Sequence, residues 1–304
     1  MINKFLKITI IAVICTSCKS NSHSHKHFEE AVSHSHQKEG YFGSYSLEDK
    51  NFGTNTIVTV NDTERKIVTN ALPNHKTGAF PRKGNPNTIS AQNKTYSLPV
   101  YPKYTGEPKW VREPGVSLNG VKFEPGTAEV VVCETGENYR VEAFQNIIDL
   151  GLDFNNAHVQ PTGAYHYHGS PTSVIKDLDK GEDLVHIGFA NDGFAMYYSK
   201  SGKYKSSYKL LDGNREGEDC VYENPKQTLD ISVDGHHDGT YGSDFEYVVN
   251  SGDLDECNGT SINGTYAYIV TDEFPYVSRC LMGVYEEESR GRGVSGSQRQ
   301  RGRP

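Results

Sequence analysis

The sequence predicts a mostly β domain of the α+β kind: an antiparallel, sandwich-like body with one prominent helix, stabilised by disulfides. Three observations carry that expectation. Short stretches of alternating apolar and polar residues recur along the chain, separated by Gly, Asn and Pro turn signals. Only one stretch repeats its apolar residues at helical spacing. An even set of four cysteines follows an N-terminal segment that reads as an export leader, and oxidising compartments favour disulfides.

Taken in order, residues 1–18 have the layout of a signal peptide. Lys4 and Lys7 precede the apolar run from Ile8 to Cys15, and small residues lead to Cys18. Thr16-Ser17-Cys18 resembles a bacterial lipoprotein processing site, with lipidation expected at Cys18, although Cys15 stands where a branched aliphatic residue is usual. The expected location is therefore the cell envelope, anchored to a membrane through lipid, with simple secretion as the alternative. The run is too short to span a bilayer, which takes about 20 residues. Residues 19–52 read as a polar, His-rich, disordered tether: His23, His25, His27, His34 and His36 lie among residues with little to bury. Such a tract is either a solvated spacer or a weak collector of copper or zinc.

Residues 53–283 form the expected folded domain. Ile57, Val58 and Val60, then Ile67 and Val68 beyond Asn61-Asp62, read as a hairpin. Two loops rich in proline and asparagine follow, the first carrying His75. Strands are expected at 96–100, 116–123 and 129–133. Residues 137–150 are the expected helix, because Val141, Phe144, Ile147 and Ile148 make an apolar stripe that Gly151 ends. Further strands are expected at 184–189, 194–198, 245–249 and 266–270. Of the three pairings open to Cys133, Cys220, Cys257 and Cys280, a plausible hairpin between Cys257 and Cys280 favours that pair, leaving Cys133 with Cys220. The acidic stretch 253–259 resembles a calcium loop only superficially, since its spacing does not fit the helix-flanked form. Residues 284–304 read as a disordered Arg/Gly tail. A formal net charge of −8 with dispersed acidic residues argues against a nucleic-acid partner.

The chemistry concentrates in Gly163-Ala164-Tyr165-His166-Tyr167-His168-Gly169, a short alternating strand between glycines. Side chains alternate across a strand, so His166 and His168 share one face and Tyr165 and Tyr167 the other. Two strand steps separate the imidazoles by roughly 7 Å at Cα, which lets both reach one ion. His158 lies close enough in sequence to join through a loop, and His186 points away from the apolar face of its own strand. The chain resembles the YHYH-domain family of exported bacterial proteins. The motif itself, Pro73-Asn74-His75, Gly84-Asn85-Pro86-Asn87, 157–163, Asp192-Gly193-Phe194, 237–240, 252–259 and Arg279-Cys280 carry the likeness, which runs from about Gly53 to Gly283. It departs at Ala195-Met196-Tyr197, where proline and a nearby glycine are expected. The resemblance implies an exported domain and brings no reaction with it.

Three functions are compatible with these residues. One is binding of copper or zinc by His158, His166, His168 and His186, with His75 or His237, and with Asp192, Asp238 or Glu246 orienting the rings. Such binding weakens below about pH 6.5 if the imidazoles titrate normally. A second is a metal-dependent hydrolase or other enzyme using metal-bound water; Gly-x-Ser-x-Gly and His-Glu-x-x-His are absent, and no catalytic residue is assigned. A third is an envelope adhesion or carbohydrate-binding module presenting Tyr165, Tyr167, Tyr197 and Tyr198. The identity of any protein or glycan partner stays open.

Overall fold

The computed structural model describes residues 40–133, 138–215, 222–224, 227–229, 233 and 235–286. The stretch read as a leader, Cys18, the histidines of the expected tether, Cys220 and the Arg/Gly-rich residues from 287 onward lie outside the described residues. No helix among the described residues is long and apolar enough to cross a membrane.

The body is β-rich, as the alternation implies. A four-stranded antiparallel sheet runs in the order Tyr45–Asp49, Thr54–Val60, Glu64–Thr69 and Lys94–Pro99. Its first strand falls inside the stretch read as tether, and Gly40–Phe42 just before it is a 3-10 turn, so residues 40–49 are structured. Val58, Ile67 and Leu98 lie on its buried face and pack against Val116 and Phe189 of a second sheet and against Leu118 at that sheet's margin. That second sheet has eight strands, ordered Ala157–Val159, Tyr165–Tyr167, Lys122–Phe123, Gly115–Ser117, Leu184–Ala190, Ala195–Ser199, Thr265–Val270 and Gly259–Ile262. Its pairings are antiparallel except at two places, where Tyr167 faces Phe123 and where 195–199 runs beside 265–270. The main core contains Phe123, Tyr165, Tyr167, Ile187, Met196, Tyr268 and Leu281.

The expected helix at 137–150 does not form. Asn138–Arg140 is a strand paired with Val130–Val132, and Val141 bridges to Tyr241. Val141, Ile148 and Leu150 are buried, but in extended and turn conformations around Tyr139, Val233 and Tyr241. Ile147, a member of the apparent stripe, is exposed. The Gln145 Oε1 accepts the backbone N–H groups of Ile147 and Ile148, at 2.6 and 2.7 Å, and this local bonding competes with helical bonding. The helix is instead Thr172–Leu178, just after Pro171. Asn155 Oδ1 accepts the Ser173 N–H at 2.9 Å, and Val174 is buried in the main core.

Cys257 and Cys280 are bonded, with the 259–262/265–270 hairpin inside the loop they close. Cys133 is also disulfide-bonded, its expected partner lying outside the described residues.

Candidate metal centre

The motif strand Tyr165–Tyr167 is placed by its neighbours. It pairs antiparallel with Ala157–Val159 in the register Val159↔Tyr165, His158↔His166 and Ala157↔Tyr167. Residues directly opposite in an antiparallel pair project to the same side. The register therefore puts His158 beside His166, and the two-residue period adds His168. Glycines at both ends are required by shape. Gly163 has φ +85°, and a Cβ there would lie 1.9 Å from Ser90 Oγ; one on Gly169 would lie 2.7 Å from the Phe144 ring.

The tyrosine face is anchored. Tyr165 donates its hydroxyl proton to Asp153 Oδ2 at 2.8 Å, and Tyr167 Oη meets His75 Nε2 at 2.7 Å and Asn119 Nδ2 at 2.9 Å. The asparagine-rich loop fastens the partner strand: Asn85 and Asn87 both donate to the Val159 carbonyl, at 2.9 and 2.7 Å. Both tyrosines are fully buried, which removes them as an aromatic platform for a glycan.

On the opposite face, the three imidazoles form a near-equilateral triangle. Ring centroids are 4.8 Å apart for His158–His166, 4.6 Å for His158–His168 and 4.6 Å for His166–His168. One ligating atom from each lies within 4.8 Å of the others. Each Nδ1 lies near a backbone carbonyl: Leu150 at 2.8 Å for His158, Ala164 at 3.4 Å for His166 and Pro125 at 3.3 Å for His168. A carbonyl only accepts, so these contacts assign the proton to Nδ1 and the lone pair to Nε2. The Nε2 of His168 is buried with no hydrogen-bond partner among the described residues, and burying such an atom without compensation is costly. Burial pushes His166 and His168 well below the ordinary imidazole range, and the neighbouring imidazoles add to that; burial likewise lowers His158. All three are thus neutral, the ligating form, near pH 7.

The donor set fits a transition-metal ion. Zinc binds imidazole nitrogen at about 2.0–2.1 Å, which places tetrahedral donors about 3.3 Å apart. The donors lie within 4.8 Å of one another, up to about 1.5 Å wider than that spacing. Among the described residues no fourth His, Cys, Asp or Glu belongs to the group.

The other sequence candidates sit elsewhere. His75 is on the tyrosine side, held between Tyr167 Oη and the Lys76 carbonyl. His186 stacks on Phe42 at 4.4 Å, its Nε2 3.0 Å from the Gly188 carbonyl. The alternation correctly sends it away from Val185 and Ile187, but the face it reaches is closed by Phe42 of the 40–42 turn and is not a site. His237 lies in the 235–240 turn, outside the triangle. The carboxylates chosen to orient the rings are engaged otherwise: Asp192 accepts from Tyr268 Oη and the Gly283 N–H, Asp238 pairs with Arg215, and Glu246 is exposed opposite Lys209. Backbone carbonyls take the orienting role.

The charged neighbours that sequence reasoning missed come from the 112–124 segment. Glu124 is buried and accepts from Arg112 Nε at 2.5 Å, Lys122 Nζ at 2.6 Å and Gln160 Nε2 at 2.7 Å. Lys122 and Arg112 lie close enough to His166 to disfavour its protonation. The alternation Lys122-Phe123-Glu124 was the available signal, since it sends both charges to the side opposite Phe123.

The fold and site together define a β-rich domain whose motif hairpin holds three neutral imidazoles around one point. The chain belongs to the YHYH protein family, whose model matches residues 95–283. Comparison with curated proteins finds no match, and comparison with solved structures finds none.

Proposed function

We propose that this protein binds a single transition-metal ion, zinc or copper, through Nε2 of His158, His166 and His168. The observation that carries the reading is the triangle itself, with every Nδ1 turned to a carbonyl and the His168 Nε2 left buried without a partner among the described residues. Cation chemistry answers that orphaned lone pair, and carbonyl contacts on the far nitrogen are the usual support of ligating histidines. We further propose, from the leader-like residues 1–18 and Cys18, that the protein sits in the cell envelope on a lipid anchor.

A metal-dependent hydrolase is the second reading. It is favoured by the ligand count, because three histidines leave a fourth position for water, the arrangement of catalytic rather than closed structural zinc sites. Partly exposed His158 would be the side from which substrate arrives, since His166 and His168 are buried.

The test is titration of the metal-stripped protein with Co²⁺, Zn²⁺ and Cu²⁺. One tight equivalent is expected, with the visible absorption of four-coordinate cobalt. The pair His166→Ala/His168→Ala should lose that equivalent, whereas His186→Phe and His75→Gln should keep it. Equal tight binding by the double variant, or no tight equivalent in the parent protein, would refute the assignment. Turnover of ester or phosphoester substrates by the loaded protein separates the two readings.

A further inference from the structure

The acidic segment 252–259 is not explained by the metal centre. It borders an open groove of about 540 Å³ on another part of the surface, and the groove contains none of the three ligating histidines. That volume is within the range of small-molecule sites, roughly 300–1,000 Å³.

The groove has two kinds of wall. Tyr104, Tyr247 and Tyr266 supply aromatic surface. The rings of Tyr104 and Tyr266 are 4.8 Å apart and tilted by 44°, and Tyr104 is 55 % exposed, a large apolar face offered to solvent. Tyr266 is fixed in place: its hydroxyl donates to Asp255 Oδ2 at 2.9 Å, and its ring meets Phe194 at 5.0 Å. Asp255 is held in turn by the N–H groups of Cys257 and Gly259 on Oδ1, each at 2.9 Å. The second wall is polar. Asn250 and Ser261 line the groove with side chains that make no hydrogen bond among the described residues, and Asp253 uses only Oδ2, toward the Lys205 N–H.

We propose that this groove binds a neutral saccharide. A pyranose presents one face of C–H groups, which packs on a tyrosine ring, and a rim of hydroxyls, which needs adjacent donors and acceptors. Tyr104 supplies the ring; Asn250, Ser261 and the free Asp253 oxygen supply the polar partners. Asp253 and Asp255 put negative charge at the lining, so hexuronate chains are repelled while uncharged hexoses are not. The open shape suits a stretch of chain and does not enclose a small cation on all sides. This site is independent of the histidine triangle and of the buried pair Tyr165 and Tyr167.

The test is calorimetry of the purified protein with tetrasaccharides of cellulose, chitin, β-1,3-glucan and α-mannan, with tetragalacturonate and tetramethylammonium alongside. Binding of at least one neutral tetrasaccharide is expected, with tetragalacturonate at least about tenfold weaker. Tyr104→Ala, and separately Ser261→Trp to fill the groove, should each weaken binding by at least about tenfold, a loss of the size expected for one good contact. Trp110→Ala, an exposed aromatic outside the groove, should leave it unchanged. The proposal is overturned if no neutral tetrasaccharide binds, if tetramethylammonium alone does, or if both groove variants bind as the parent does.

Discussion

The burial of His186 makes a quantitative prediction about acid stability. Its ring stacks on Phe42, meets Phe189 edge-on at 4.7 Å and lies 5.3 Å from Tyr197, and burial, aided by nearby Arg65, pushes its pKa down to about 3. In the unfolded chain it returns to about 6.5. Between those values the unfolded state binds the extra proton, so folding stability falls as pH drops below 6.5 and is fully present above it. At pH 5 the interval crossed is about 1.5 units, which at 1.36 kcal/mol per unit is about 2 kcal/mol. The ring keeps some exposure, which trims this to about 1–2 kcal/mol. His186→Phe removes the titration and keeps the aromatic stack. Urea unfolding of both proteins at pH 7.5 and pH 5, with metal stripped from each, isolates the term, because the other buried histidines are common to both. The variant should lose about 1–2 kcal/mol less than the parent on acidification. Parallel losses, within about 0.3 kcal/mol, would refute the claim that this imidazole is held neutral in the fold. The same variant must keep its metal equivalent.

Three other outcomes are expected. Replacing Cys257 and Cys280 with alanine opens a loop spanning 23 residues, for which chain entropy gives a cost of about 3.4 kcal/mol, seen as a Tm lower by roughly 7–14 °C. Tyr167→Phe leaves the buried side chains of His75 and Asn119 each short of a partner and should cost about 1–3 kcal/mol in urea unfolding. Zinc at about a hundred times its Kd should stabilise the protein by about 2.7 kcal/mol in thermal unfolding; the gain should disappear with chelator and be absent from His166→Ala/His168→Ala.

What could be read from sequence follows physical range. Period-two alternation is local, so the strands around Ile57, Ile67, Phe189 and Tyr268 were legible, as was the face shared by His166 and His168. The hairpin between Cys257 and Cys280 made their pairing legible for the same reason. The 137–150 stripe misled because Val141, Ile148 and Leu150 are apolar for burial against Tyr139, Val233 and Tyr241, and a short irregular segment can meet that demand by chance at helical spacing. The wider ligand set failed where it depended on topology. His186 follows the alternation rule, but only the packing of the distant 40–42 turn decides that its face is closed by Phe42. His75 is near the motif in space and on the wrong side of it, a distinction no spacing argument reaches.

Register is the step that turns a common His-x-His strand into a three-donor site. Antiparallel pairing sets His158 directly across from His166, and a slip of one residue would send it to the opposite face, into the tyrosine core. The slip is opposed from several directions. Asn85 and Asn87 clamp the Val159 carbonyl, Gly163 admits the chain past Ser90, and Tyr165 and Tyr167 each have hydroxyl partners that exist in one register only. Asn85, Asn87, Gly163 and His75 stand in the segments that resemble the family blocks, so those blocks have a physical account: they hold one hairpin in one alignment. The tyrosines of the motif are therefore the device that positions its histidines. Their removal should disorder the imidazole triangle without touching a ring nitrogen, and conservative loss of a single hydroxyl should loosen it by degrees.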